Sequence, residues 1–251
     1  IQDGKADASC TIPVPYSGDF VGIDFWDNRV LAFKEDNLSV IYGTDPTEYA
    51  VYKNYDIGCI DGKSIVQCGN MVIWLYHDGF YAYAGGEPQR ISDKLHTRYK
   101  SAKAFSTNRL YFARCEKESG GFELVVYDTE RNIWSKLSDI DFVNAFYFGG
   151  KAYIGTKTGL KTIEDGDYGD FYAETGDITF DSFDNKSVIY FYLRCDISDG
   201  AFINIYTKTD GGDWQAHKGI SKSGKHKIPI RYKSGDCLIL RFEGNGDVCI
   251  T

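Results

Sequence analysis

Three aromatic side chains near the C-terminal end of the sequence are its best candidates for contact with a ligand. Tyr190 and Tyr192 alternate with apolar residues along a predicted strand, and Trp214 follows a glycine turn. Aromatic rings exposed on a sheet can stack on sugar rings or anchor a protein partner. We therefore predict Tyr190, Tyr192 and Trp214 as ligand or partner contacts, with a glycan as one candidate ligand.

The residue patterns of common catalytic and nucleotide-binding sites are missing from the sequence. It contains no Gly-x-Ser-x-Gly elbow, no His-Glu-x-x-His zinc motif and no glycine-rich phosphate loop. The four histidines are dispersed and are expected in turns or on the surface: His77, His96, His217 and His226. A pair among the 36 acidic residues could still cleave a glycosidic bond, so a propeller glycosidase stays open as an alternative. The prediction is a protein with no catalytic residues and no cofactor.

The cysteines and acidic loops do not have the spacing of a metal site. Seven cysteines are scattered without a Cys-x-x-Cys pair or a histidine at zinc-ligand spacing. The acidic loop at residues 164–170 lacks the ligand order of a calcium-binding loop and is expected to be a solvated turn. No metal site is predicted, and the cysteines are expected to be small buried side chains in a reducing compartment.

Charge and hydropathy exclude two classes of partner. The formal net charge is −8, which disfavours binding to nucleic acid phosphates, and no apolar window is long enough to span a membrane. The first residue is not Met, so the sequence is expected to be a processed product or a segment of a longer chain. The 27 glycines and 39 aromatic residues favour strands joined by tight turns, which predicts an all-β fold.

A repeat of about 40 residues organises the first two thirds of the chain. Each repeat contains four short strands, and the second strands begin near Asn28, Asn70, Asn108 and Gly150. Four short strands per period are typical of a β-propeller blade. We predict an N-terminal arm over residues 1–17 and about four propeller blades over residues 18–176.

The number of blades leaves the closure of the propeller open. Propellers typically contain about four to eight blades, so the chain is either a complete small ring or the C-terminal part of a larger one, and the second alternative is preferred. An open arc of blades would expose an uncovered sheet face that another subunit must cover.

A different pattern begins after the repeats. Residues 187–196 alternate cleanly between two faces, and further short strands follow at residues 201–206, 227–232, 237–242 and 247–250. These strands predict a small antiparallel β-sandwich over residues 177–251.

Two stretches carry a resemblance to structural proteins of tailed bacteriophages. Residues 72–83, VIWLYHDGFYAY, and 87–93, EPQRISD, resemble blade sequences of those proteins. Residues 227–231, KIPIR, followed by 237–247, CLILRFEGNGD, are similar to their terminal module. The resemblance implies a non-enzymatic component of the head-tail or tail region, found in the virion and assembled in the host cytoplasm. Its implied partners are other virion subunits in an oligomeric assembly, and a carbohydrate-binding module for host recognition stays open as an alternative function.

Overall fold

The computed structural model describes residues 12–43, 48–137, 144–162, 169–179, 182, 184–185, 187–230 and 235–250. The chain divides into two compact units, Ile1–Asp165 and Gly166–Thr251. The described residues form β-strands and connecting turns without an α-helix, and Gly62–Ser64 forms a turn of 3-10 helix. The predicted all-β class is confirmed.

The strands of the first unit pair in chain order into four antiparallel sheets. Sheet 1 contains β1 (Phe20–Trp26), β2 (Arg29–Lys34), β3 (Leu38–Tyr42) and β4 (Ala50–Tyr55). Sheet 2 contains β5 (Val66–Cys68), β6 (Met71–Tyr76), β7 (Gly79–Tyr83) and β8 (Gln89–Arg90). Sheet 3 contains β9 (Tyr99–Ser106), β10 (Leu110–Lys117), β11 (Phe122–Asp128) and β12 (Ile133–Leu137). Sheet 4 contains β13 (Asn144–Phe148), β14 (Lys151–Thr156) and β15 (Gly159–Thr162).

Tight turns set the register of these hairpins. Asp27 and Asn28 join β1 to β2 with φ angles of 44° and 59°, both in the left-handed region. Two consecutive residues with positive φ form the turn whose twist matches that of the flanking strands. Gly79 follows Asp78 with a φ of 145° and starts β7, which is a conformation that glycine adopts without strain.

The four sheets follow one another through their first strands. β1 contacts β5, β5 contacts β9, and β9 contacts β13. This is how consecutive propeller blades are arranged, with the innermost strands next to one another. The described residues show four such sheets and not a closed ring.

Apolar residues at alternating positions fill each space between consecutive sheets. Between sheets 1 and 2 the buried residues include Leu31, Phe33, Val40, Val72, Trp74 and Tyr83. Between sheets 2 and 3 they include Ile73, Leu75, Phe80, Tyr111, Ala113 and Val125. Between sheets 3 and 4 they are Phe105, Phe112, Leu124, Val126, Ala152 and Ile154. Sheets 2 and 3 therefore bury both faces, whereas among the described strands of the first unit sheets 1 and 4 each pack against one sheet.

The second unit contains two sheets over a shared core. One sheet has the strand order β16 (Asp170–Glu174), β21 (Leu238–Asn245), β18 (Phe202–Thr209), β19 (Gln215–Ala216). The other has the order β20 (Gly224–Pro229), β17 (Tyr190–Ile197), β22 (Val248–Ile250). Both sheets contribute to one buried cluster of Leu193, Cys195, Ile203, Ile205, Ile220, Ile228 and Phe242. The alternation predicted for residues 187–196 is found in β17, where Leu193 and Cys195 are buried and Tyr190 and Tyr192 are exposed.

The boundary between the units differs from the predicted one. The repeat pattern predicts residues 172–175 as the last strand of a fourth blade, with the sandwich starting at residue 177. Instead β16 pairs with β21, and the second unit begins at Gly166. The physical reason is that Phe171 packs against the core of the second unit, while Glu174 forms an ion pair with Arg241 on the neighbouring strand. Sheet 4 accordingly has three strands.

Candidate functional surfaces

Tyr190 and Tyr192 lie together on the outer face of the three-stranded sheet. Their side chains point away from the core because Phe191 and Leu193, at the alternate positions of β17, pack into it. The two rings meet edge to face, with 5.4 Å between their centroids. Tyr190 is 42% exposed and Tyr192 is 54% exposed, so both rings are accessible.

The neighbouring strand β20 places two lysines on these rings. Lys227 pairs with Tyr192 in the register, and Lys225 pairs with Arg194. The Lys227 ammonium lies 3.8 Å from the centroid of Tyr190, and the Lys225 ammonium lies 4.2 Å from that of Tyr192. A cation at this distance is attracted by the electron-rich face of the ring. The sequence pattern does not predict either lysine as part of this surface, because neither their strand partner nor their register can be inferred from alternation alone.

Trp214 lies on the other sheet of the second unit, and it is half-buried. The Arg241 guanidinium lies 4.0 Å from the centroid of its ring. Arg241 belongs to the outer face of β21, because Phe242 beside it packs into the core. The structure therefore joins Tyr190 and Tyr192 in one surface and places Trp214 on the opposite outer face of the sandwich. The three predicted contacts do not form a single site.

The outer face of sheet 1 has an apolar patch along β1 and β2. Because Leu31 and Phe33 point towards sheet 2, Ile23 and Phe25, which pair with Ala32 and Val30, point away from it. Ile23 is 67% exposed, and Phe25 is also largely exposed. Phe20 extends this surface, which we name the front face: Phe20, Ile23, Phe25 and Val30.

Sheet 4 has a second apolar surface on the side away from sheet 3. Ala152 and Ile154 point towards sheet 3, so Phe146, Tyr153 and Leu160 point the other way. The rings of Phe146 and Tyr153 stack with centroids 5.3 Å apart, and Phe148 is 73% exposed. We name this surface the rear face: Phe146, Phe148, Tyr153 and Leu160. Contiguous apolar patches of this kind mark interaction sites in soluble proteins.

Several described carboxylates are engaged by cations. Asp128 contacts Arg109 and Arg131, and Lys100 lowers the pKa of Glu116 through a hydrogen bond. Burial raises the pKa of Asp24, which lies on β1 and accepts a hydrogen bond from the Phe25 amide. A glycosidase would need a second carboxyl group across a sugar from Asp24.

The described ranges contain no group of three His, Cys, Asp or Glu side chains that could hold a metal ion. Residues 164–168 of the acidic loop lie outside them. Nor does this part of the chain include a helix suited to crossing a membrane.

The cysteines divide into two environments. Cys59, Cys68, Cys115 and Cys195 are buried, Cys237 is half-buried and Cys249 is exposed, and these six are free thiols. Burial raises the pKa of Cys59 to about 11 and that of Cys68 to about 12. The expectation of buried cysteines is therefore confirmed for four residues and wrong for Cys249, while Cys10 lies outside the described residues.

Thiol labelling of the native protein checks this division. With N-ethylmaleimide at pH 8, we expect Cys249 to be modified rapidly and Cys59 and Cys68 to stay unmodified, because the thiolate is the reactive form and burial suppresses it. Peptide mass spectrometry after a timed quench measures each site. The same reaction in denaturant serves as the control and should modify all of them. Equal rates at Cys59 and Cys249 in the native protein would contradict the buried environment of Cys59.

Comparisons with known proteins do not assign a family. No protein-family model matches the chain, and no curated protein matches it. Among solved structures, the chain is similar to a glycoside hydrolase with 12% identity, over 91% of this chain and 83% of that one, at a TM-score of 0.27. It is also similar to the WD40 domain of SCAP from fission yeast, with 10% identity over 91% and 85% of the two chains and a TM-score of 0.30. At such low TM-scores neither similarity carries an argument about function, and the fold assignment rests on the strand pairing described above.

Proposed function

We propose that this chain is a non-enzymatic structural protein that assembles through the front and rear faces of its first unit. The observation that carries the proposal is the pair of exposed apolar faces at the two ends of the array of sheets. Every inner space between these sheets is filled by apolar and aromatic residues of the same kinds. The front and rear faces thus carry the chemistry of a sheet-to-sheet contact, but none of the described strands of the first unit covers them.

The partner we propose for these faces is a second copy of the chain. The front face is the side on which a preceding sheet would pack, and the rear face is the side on which a following sheet would pack. The front face of one copy can therefore pack against the rear face of another. Such a contact repeats the sheet-to-sheet packing already present within the chain. The first units of two copies together hold eight sheets, within the range of about four to eight blades typical of propellers.

The biological setting we propose is the head-tail or tail region of a tailed-bacteriophage virion, with assembly in the host cytoplasm. This part of the proposal is supported by the resemblance of residues 72–83, 87–93, 227–231 and 237–247 to structural proteins of such phages. A rigid body that docks through two different faces suits the repeated contacts of a virion.

Sedimentation of paired variants tests the assembly. The wild-type chain is expected to self-associate in a concentration-dependent way. In the variant I23D/F25D the front face is blocked, and in F146D/F148D the rear face is blocked. Because a buried aromatic anchor contributes at least about 2 kcal/mol, each variant should associate at least about 30-fold more weakly by itself.

Mixing the two variants provides the decisive comparison. Each retains one intact face, so the mixture is expected to form a dimer through a single front-to-rear contact. The control is Y190D/Y192D, which adds the same two charges at exposed aromatic residues of the second unit and should leave association unchanged. A wild-type chain that stays monomeric at every concentration, or a mixture that does not restore association, would overturn the proposal of a second copy as the partner.

A carbohydrate-binding module is the second candidate function, and one observation favours it. Tyr190 and Tyr192 form an exposed pair of rings on the outer face of a sheet, and an exposed tyrosine ring can stack on a sugar ring. Trp214 does not take part in this surface, so Trp214→Ala should leave glycan binding unchanged and Tyr192→Ala should weaken it. Glycan binding to the wild-type chain, measured on an array of immobilised oligosaccharides, tests this candidate.

A further inference from the structure

The outer face around Tyr190 and Tyr192 combines two aromatic rings with three cations. We name it the cationic tyrosine face: Tyr190, Tyr192, Arg194, Lys225 and Lys227. The three cations lie on adjacent strands, since Arg194 pairs directly with Lys225 and the next pair on the same face is Tyr192 with Lys227. The face therefore concentrates positive charge in a chain whose formal net charge is −8.

This concentration of charge is unfavourable without an anion. Like charges directly opposite each other destabilise a sheet, and Arg194 and Lys225 are such a pair. None of the three cations forms an ion pair with a residue of the described ranges. Asp196, two positions further along β17, does not neutralise them through an ion pair either.

The other sheet of the same unit shows the opposite arrangement. Arg241 lies over the Trp214 ring, and its guanidinium contacts Glu174 at 2.5 Å and Glu243 at 3.4 Å. The charge beside that aromatic ring is thus neutralised within the protein. Of the two aromatic surfaces, the cationic tyrosine face is the one whose positive charges are not neutralised by neighbouring carboxylates. These charges are available to an anionic ligand.

We infer that the cationic tyrosine face binds an acidic polysaccharide, a chain of pyranose rings that carry carboxylates. Each ammonium lies over a tyrosine ring, about 4 Å from its centroid. When the apolar face of a pyranose packs on that ring, the flexible lysine side chain turns aside, and its ammonium can then reach the edge of the sugar. A carboxylate on that sugar would form a charge-assisted hydrogen bond with the lysine. This inference rests on the carbohydrate-binding candidate and narrows it to one ligand class, and it is independent of the assembly role.

A nucleic acid is a less suitable ligand for these three cations than an acidic glycan. Affinity for a nucleic acid comes mainly from neutralising many phosphates, and a groove that follows the backbone needs more cations than the three on this face. The rest of the chain would repel the polyanion because of its net negative charge. A short acidic oligosaccharide needs to contact only the two rings and the neighbouring cations.

Calorimetric titration with a charged oligosaccharide and its neutral counterpart tests the inference. The probes are tetragalacturonate, its fully methyl-esterified form and an oligothymidylate of four nucleotides, at low ionic strength. We expect tetragalacturonate to bind at least about tenfold more tightly than the ester, since the ester keeps the sugar rings and loses the carboxylates. K225Q/K227Q and Tyr192→Ala should each weaken binding of tetragalacturonate at least about tenfold, whereas Tyr192→Phe, which keeps the ring, should retain it.

The charge-matched control is K63Q/K94Q, which removes two exposed lysines of the first unit and should leave the affinity unchanged. Equal binding of tetragalacturonate and its ester would overturn the inference and leave the carbohydrate-binding candidate standing. Tighter binding of the oligothymidylate than of tetragalacturonate would also overturn the inference and would identify a nucleic acid as the ligand of this face. Absence of binding to all three probes would overturn the inference, and silence on the oligosaccharide array as well would remove the carbohydrate-binding candidate.

Discussion

Replacement of Trp74 by alanine is expected to lower the free energy of unfolding of the first unit by about 4 kcal/mol. The Trp74 side chain is completely buried between sheets 1 and 2, where its ring lies 5.0 Å from that of Phe33 in an edge-to-face contact. Truncation removes this packing and leaves a cavity, which costs about 3–5 kcal/mol for a large aromatic residue. It also leaves the carbonyl oxygen of Gly58 without the hydrogen bond that the indole N–H donates at 2.7 Å.

The expected loss is a large fraction of the roughly 5–15 kcal/mol that stabilises a typical domain. Denaturant unfolding measures the change, and hydrogen exchange locates it, with protection lost first in β3, β6 and β7. Trp214→Ala is the matched control, because Trp214 is half-buried on an outer face and its removal should cost about 1 kcal/mol. Equal destabilisation by the two substitutions would contradict the central position of Trp74.

The strands themselves were largely predictable from the sequence. Short alternating or continuous apolar runs between turn residues predict β2, β6, β10 and β14 close to their observed bounds, because local turn chemistry and side-chain alternation determine a hairpin. The same repeat predicts a strand over residues 64–67, but Ser64 lies in the 3-10 turn before β5. Its hydroxyl donates to the Asp61 carbonyl and accepts from the Leu75 amide, which favours a 3-10 turn at this position.

The partners of the strands were less predictable, because pairing depends on contacts between residues distant in the chain. β16 has the length and composition of a fourth blade strand, yet its partner is β21, about 70 residues further along. The same limit applies to the candidate surfaces. Alternation predicts that Tyr190 and Tyr192 share a face, but only the register of β17 with β20 places Lys225 and Lys227 beside them.

A glycine in the second unit is the site of the other large effect we expect. Gly244→Ala should lower the free energy of unfolding of that unit by about 3 kcal/mol, the upper part of the usual range for overpacking. Gly244 lies in β21 between β16 and β18, and it pairs with both Phe171 and Ile203. A methyl group at this position would meet the Phe171 ring at 2.6 Å.

The backbone on the other side of Gly244 makes the substitution difficult to accommodate. The added methyl group would lie 2.1 Å from the carbonyl oxygen of Phe202, which β18 holds in place through its ladder with β21. If the Phe171 ring moved away, it would lose its packing against the core cluster, and the clash with the Phe202 carbonyl oxygen would remain. Gly176→Ala is the control, since no atom lies within 4 Å of the methyl group there and the change should stay within about 0.5 kcal/mol. Thermal unfolding followed by hydrogen exchange in β18 and β21 measures both variants, and unchanged protection in Gly244→Ala would mean that the two strands do not approach each other as closely as the pairing requires.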